Sequence, residues 1–219
     1  LARRWFEALP PRPAPEPPPA RYLGGTTAHR RDLEQVHLCL ALEGVGYHDP
    51  DYWAVQVLAT ALGGGMSSRL FQEARENRGL CYAIECFASS YVETGLFGIY
   101  AGTGAGQVGE LLELTAEQTR DLVREPLASE IGRAKAQLEA GLLMGQESCA
   151  GVADGIARQL LVYGRRIPIE ETLRRLEAVD ADAIGRVGER LFGRGGATTL
   201  VTLGEVERLT HLEFGRVAG

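Results

Sequence analysis

The 219 residues contain only four cysteines, four histidines and two methionines. Cys39, Cys81, Cys86 and Cys149 form no C-x-x-C pair, and each sits among apolar or small residues. That arrangement speaks against a thiolate zinc site or a disulfide framework, and predicts buried free thiols. The histidines are His29, His37, His48 and His211. A helical zinc site of the H-x-x-E-H or H-x-x-x-H kind needs two imidazoles one turn apart, and no pair here has that spacing. No catalytic zinc is expected on this chain. No apolar run approaches the roughly 18–20 residues that span a bilayer, and no signal-peptide pattern opens the chain. Basic residues are also in deficit: 23 Lys and Arg stand against 29 Asp and Glu, a net charge of -6. With no basic stripe to neutralise phosphates, nucleic acid is not an expected partner, and neither is a membrane. The bacterial cytoplasm is the expected compartment.

What is present is enough for a core. Apolar residues make up 45% of the chain, which at this length suits one large domain. Seven of the ten prolines fall between Pro10 and Pro19. Such density forbids a helix or a central strand and favours extended polyproline II, read either as a semi-rigid spacer or as a disordered tail. As a spacer it divides the chain into residues 1–9, the tail of an upstream domain; residues 10–22, the linker; and residues 23–219, the main domain. The opening Leu1-Ala2-Arg3-Arg4-Trp5 reads as the end of a helix in a piece of a longer protein.

Periodicity then assigns the elements. Val36, Leu38, Leu40 and Leu42 alternate as in a half-buried strand. Asp49 reads as an N-cap with Pro50 at the first helical position, and Gly63 to Gly65 stop that helix. Ser67 or Ser68 is expected to cap a second helix ending at Gly79. Residues 82–89 and 95–101 read as a hairpin. Helices are expected over 107–124, from Leu127 onwards, and near 150–163, 169–178 and 181–192, before a last strand over 197–203. The order predicts an α+β fold in two layers: a mainly antiparallel sheet with helices on one face.

Two chemical motifs fail on context. Gly104 to Gly109 is formally G-x-G-x-x-G between a strand and a helix, where helix amides hold phosphates. A dinucleotide site needs a βαβ unit, whereas here helix follows helix and the preceding strand belongs to a hairpin. No G-x-S-x-G elbow marks a serine nucleophile, and Cys149 has no histidine near it in sequence.

Arg75 and Tyr82 stand seven residues apart, across a helix end, the Gly79 turn and the start of a strand. A guanidinium and a phenol so placed could converge on one polarised oxygen. A solvated helix charge beside Glu73 and Glu76, and a strand tyrosine with its hydroxyl in water, account for them as well.

Gly63-Gly64-Gly65-Met66-Ser67-Ser68-Arg69-Leu70, Phe71 to Tyr82 and Tyr91 to Tyr100 together resemble the carboxy-terminal, zinc-free half of the M16 metallopeptidases. These are the pitrilysin, insulinase and mitochondrial-processing-peptidase-like enzymes. Asp51 to Leu58, Arg133 to Leu138, and Arg158-Gln159-Leu160 with Tyr163-Gly164 extend the resemblance over most of the chain. It implies a half-clam that closes with a zinc-binding upstream half or partner subunit around a peptide substrate. Arg75 would then hold a substrate carbonyl and Tyr82 would donate to the oxyanion, with zinc and its ligands outside this chain. The same resemblance leaves open a noncatalytic partner or scaffold subunit of a processing-peptidase-like complex. The surface that faces the other half would let the isolated chain form a homo-oligomer.

Overall fold

The computed structural model describes residues 1–10, 18–193 and 197–206. His211 and most of the proline-rich stretch lie outside them. A short exposed helix, α1 (Ala2–Phe6), precedes a five-stranded sheet among the described residues. Its strands are β1 (Gly25–Arg30), β2 (Val36–Gly44), β3 (Cys81–Ser90), β4 (Gly95–Thr103) and β5 (Thr198–Gly204). They lie in the order β1-β5-β2-β4-β3, with only β1 and β5 parallel.

Side-chain alternation explains why the sheet has one dry face. Val36, Leu38, Leu40 and Leu42 of β2 are buried, as are Phe97, Ile99 and Ala101 of β4 and Leu200 of β5. The intervening His37, Cys39 and Ala41 point to the other face, where the hydroxyl of Tyr100 meets His37 Nδ1 at 2.8 Å. The dry face is covered by helices α2 (Tyr52–Gly63) and α7 (Ala181–Phe192), and α3 (Val108–Arg124) packs against both. Helices α4 (Ala128–Met144) and α6 (Ile169–Glu177) pack outside α2, and α5 (Cys149–Tyr163) runs between them in sequence. Helical spacing selects the buried stripes, such as Leu111, Thr115, Thr119 and Leu122 of α3. Phe192 of α7 meets Phe97 edge to face at 5.4 Å. Each such large side chain contributes about 1.5–3 kcal/mol on leaving water. The two-layer α+β expectation holds.

Four details differ from expectation. The Asp49 carboxylate accepts the N–H of Asp51 at 2.9 Å, forming a turn ahead of the helix, so α2 begins at Tyr52 rather than at Pro50. Neither serine caps the second helix. The Ser68 hydroxyl donates to the Gly65 carbonyl at 2.6 Å instead, and Phe71–Asn77 winds as a π-helix. The thiols of Cys81 and Cys86 are buried and Cys39 is half-buried, but Cys149 is exposed because it sits in the first turn of α5, a helix with no buried residue. Strand β1 was not expected at all. The glycine-rich stretch is a strand-to-helix turn, with a single 3-10 turn at Ala105–Gln107 leading into α3.

Candidate functional site

Arg75 lies in the π-helix and Tyr82 at the start of β3. The π-helix is anchored through Leu70 and Ala74, both fully buried. Its last turn closes through Arg78 N–H to the Glu73 carbonyl (3.2 Å) and Leu80 N–H to the Ala74 carbonyl (2.7 Å). Gly79 makes the reversal between them at φ +62, a conformation that a side chain would strain. Cys81 pairs with Thr103 and Ala83 with Gly102, so Tyr82 is the extra residue of a β-bulge. A bulge re-aims a side chain out of the strand's regular alternation.

Both side chains face outward. Tyr82 is 64% exposed, and among the described residues its hydroxyl has no hydrogen-bond partner. Arg75 is 45% exposed; its guanidinium carbon stands 4.7 Å from the Phe71 ring centroid, and Nε lies 4.0 Å from a Glu76 carboxylate oxygen. Burial pushes the Cys81 thiol above its ordinary value and the charge of Arg75 pulls it back, which puts Arg75 near the residue just before Tyr82. The structure sets the two groups on adjoining elements as separate donors. It joins them by no hydrogen bond among the described residues.

A feature that sequence reasoning missed fixes this corner. Arg69 grips Glu130 at the start of α4 with two bonds, Nε to Oε1 at 2.6 Å and Nη2 to Oε2 at 2.8 Å. The same carboxylate accepts the N–H of Leu127 at 3.3 Å. The side chains are only 15% and 10% exposed, so the pair is bidentate and largely dry. The Gln72 amide nitrogen adds a bond to the Met66 carbonyl at 2.6 Å. No sequence pattern announces a pair between residues so far apart.

The histidines take ordinary places. His29 is exposed on β1, His37 is bonded to Tyr100, and His48 lies against the Tyr163 ring at 5.2 Å. Among the described residues, no three His, Cys, Asp or Glu side chains come together as a metal site. A zinc ion therefore finds no ligand set in them.

A concavity of about 540 Å³ opens between α5, the start of α6 and the loop before α2. Tyr47, Tyr52, Trp53 and Tyr163 line it, with Tyr47 tilted on Tyr52 at 5.8 Å and Tyr52 edge-on to Trp53 at 5.0 Å. Burial, with Tyr163 and Tyr47 as neighbours, pushes the Tyr52 hydroxyl up to about 12. It stays neutral at any physiological pH.

Comparison with known proteins places the chain in a family. A family model for the Peptidase M16 inactive domain matches residues 1–138. The chain belongs to the M16 peptidase family. It corresponds to the inactive, carboxy-terminal domain of M16 proteins. An uncharacterized zinc protease of Rickettsia felis is 40% identical over 177 residues, covering 80% of this chain and 42% of that protein. One from Streptomyces coelicolor is 36% identical over 172 residues, covering 78% and 38%. The mouse mitochondrial-processing peptidase subunit beta is 33% identical over 205 residues, covering 89% and 42%. The chain thus spans about two-fifths of the length of these M16 relatives. Among solved structures, a chain of Complex III2 from Candida albicans matches with a TM-score of 0.82 over 94% of this chain and 52% of that one. At 22% identity, that match speaks for a shared fold alone.

Proposed function

We propose that this M16 domain is the substrate-positioning half of a zinc-dependent endopeptidase that cleaves unfolded peptides. Zinc, its ligands and the general base belong to an upstream half or a partner subunit. The observation that carries the reading is the pair of exposed donors on adjoining elements: Arg75 on the π-helix, and Tyr82 re-aimed by a bulge with its hydroxyl uncommitted. That several relatives are named zinc proteases supports the same reaction class.

In this reading the Arg75 guanidinium holds a backbone carbonyl of the bound peptide near the scissile bond. The Tyr82 hydroxyl donates to the oxygen on which negative charge develops as that bond is attacked. A donor that meets charge only in the transition state raises kcat, because it stabilises the ground state less. Holding the peptide by its backbone leaves side-chain choice to other surfaces.

The test is cleavage of a quenched fluorogenic peptide by the full-length protein assembled with its zinc-binding half, whether upstream or a partner subunit, and zinc. Tyr82→Phe keeps the ring and removes the donor, so kcat should fall by ~10²-fold with KM little changed. Arg75→Ala should lower kcat/KM by at least about tenfold. Unchanged rates in both variants would remove the two roles. A folded, zinc-loaded wild-type assembly of both halves with no cleavage would favour a noncatalytic partner or scaffold subunit.

A further inference from the structure

The aromatic groove beside α5 shares no residue with the Arg75–Tyr82 corner, and the peptidase reading leaves it unused. Its rim carries three arginines against a single acidic residue, Glu170, on a chain whose net charge is -6. Two of the arginines are already committed to carboxylates of their own surroundings. Arg158 Nη2 lies 2.9 Å from Asp154 Oδ2, and Arg175 Nη2 lies 2.6 Å from Glu171 Oε1. The third, Arg166, has no hydrogen-bond or ion-pair partner among the described residues. One free guanidinium matches one carboxylate, which its planar fork can hold by two parallel bonds.

Most of the remaining wall is apolar and aromatic, interrupted by Gln146, Gln159 and Thr172, and the volume of about 540 Å³ falls within the ~300–1,000 Å³ of ordinary ligand pockets. The walls are also held in place. The Tyr163 hydroxyl bonds to the Tyr47 carbonyl at 3.2 Å, and the Ile167 N–H bonds to the Gln159 side-chain oxygen at 2.8 Å. Arg166 and the wall residue Ile167 are neighbours in sequence, so the free charge adjoins the apolar surface. A carboxylate carried next to a large apolar group would meet both the free guanidinium and the apolar part of the wall.

We propose that this groove binds the carboxy-terminal end of a peptide, with the α-carboxylate on Arg166 and a large apolar last side chain against the aromatic wall. In a terminal residue the carboxylate and the side chain leave the same carbon, which meets the adjacency that the rim and wall demand. The inference takes the ligand to be a peptide from the peptidase reading. It gives that reading a second hold on substrate, away from Arg75 and Tyr82.

The test uses the full-length protein with its metal chelated, so that nothing is cleaved, and fluorescein-Gly-Ala-Ala-Phe as probe. Binding is read by anisotropy for the free acid and for its carboxamide. The acid should bind at least about tenfold tighter, and Arg166→Gln should abolish that preference while leaving the amide unchanged. Gly155 lines the groove, and a Cβ there would meet nothing within 4 Å. Gly155→Leu should therefore fold with an unchanged melting temperature and weaken both probes at least about tenfold by filling the space. Equal affinity for acid and amide, or unaltered binding in a folded Gly155→Leu protein, would overturn the proposal. Because cleavage is measured separately, tight acid binding with rates insensitive to Arg75→Ala sinks only the catalytic roles. The opposite pattern sinks only the groove.

Discussion

Asp49, read from the sequence as a helix cap, instead closes a turn ahead of the helix and anchors an ion pair. Its carboxylate accepts the Asp51 N–H, and Arg190 of α7 donates to both its oxygens at 2.7 and 3.0 Å. Asp51 receives Arg186 at 2.9 Å. Burial pushes Asp49 up, but the hydrogen bonds from Arg190 and Asp51 and the charge of Arg190 outweigh it and hold the carboxyl below its ordinary value near 3.8. A carboxylate depressed in the folded state contributes stability that is fully present above its unfolded value and lost as pH falls through the folded one. Arg190→Gln should cost on the order of 1 kcal/mol at neutral pH, since half the guanidinium is solvated and screened. Thermal melts of both proteins from pH 7 down through the aspartate range should converge as Asp49 protonates. A gap that stays constant to the lowest pH would assign the loss to packing. The Asp-Pro pattern suggested a cap where the structure forms a turn, and nothing in the sequence pointed to Arg190, 141 residues away.

At the scale of elements, hydrophobic periodicity carried most of the fold, because β2, β4, α3 and α7 each bury one face against the same core. It failed where no face is buried. All six residues of β1 are exposed, so Gly-Thr-Thr-Ala-His-Arg has no alternation to read. It failed again at the π-helix, since seven residues cannot distinguish i→i−4 from i→i−5 bonding and the choice is made by tertiary ties. Gly63 was readable as a stop, but its main reason is close approach: a Cβ there would sit 2.7 Å from the Cys86 backbone nitrogen. The strongest tie at the candidate site is Arg69–Glu130. Removing one partner of a buried ion pair leaves an uncompensated charge, at ~3–5 kcal/mol, whereas replacing both with apolar residues is often near neutral. Glu130→Leu alone should therefore lower stability by about 3 kcal/mol, and adding Arg69→Met should recover most of it. Urea denaturation of the wild type, both single variants and the double variant decides this. A double variant as unstable as the sum of the singles would show that the two side chains act independently. Arg75 and Tyr82 were legible as a pair only through resemblance, because spacing alone fits a solvated charge equally well.

At the scale of the whole molecule, segments from early and late in the chain meet in one sheet. The M16 family model covers residues 1–138, yet the second strand of the sheet, β5, comes from residues 198–204. It lies between β1 and β2, pairing Gly25 with Thr199 on one side and Leu42 with Thr198 on the other. Its inner residues Leu200 and Thr202 are buried. Without β5, β1 has no strand partner among the described residues, and the β2 edge loses a ladder running from His37 to Leu42. An unpaired buried ladder costs both desolvated peptide groups and the apolar area beneath them. The first residues are different in kind, since α1 buries nothing. A chain comprising residues 20–219 should then melt within a few degrees of the 1–219 chain. One comprising residues 1–196 should lose its cooperative transition altogether, because the closing contacts are the ones of greatest sequence separation. Circular dichroism melts with limited proteolysis read both outcomes. A sharp transition in the 1–196 chain would mean that β2, β3 and β4 with their helices fold as a unit and that β5 only adds to it.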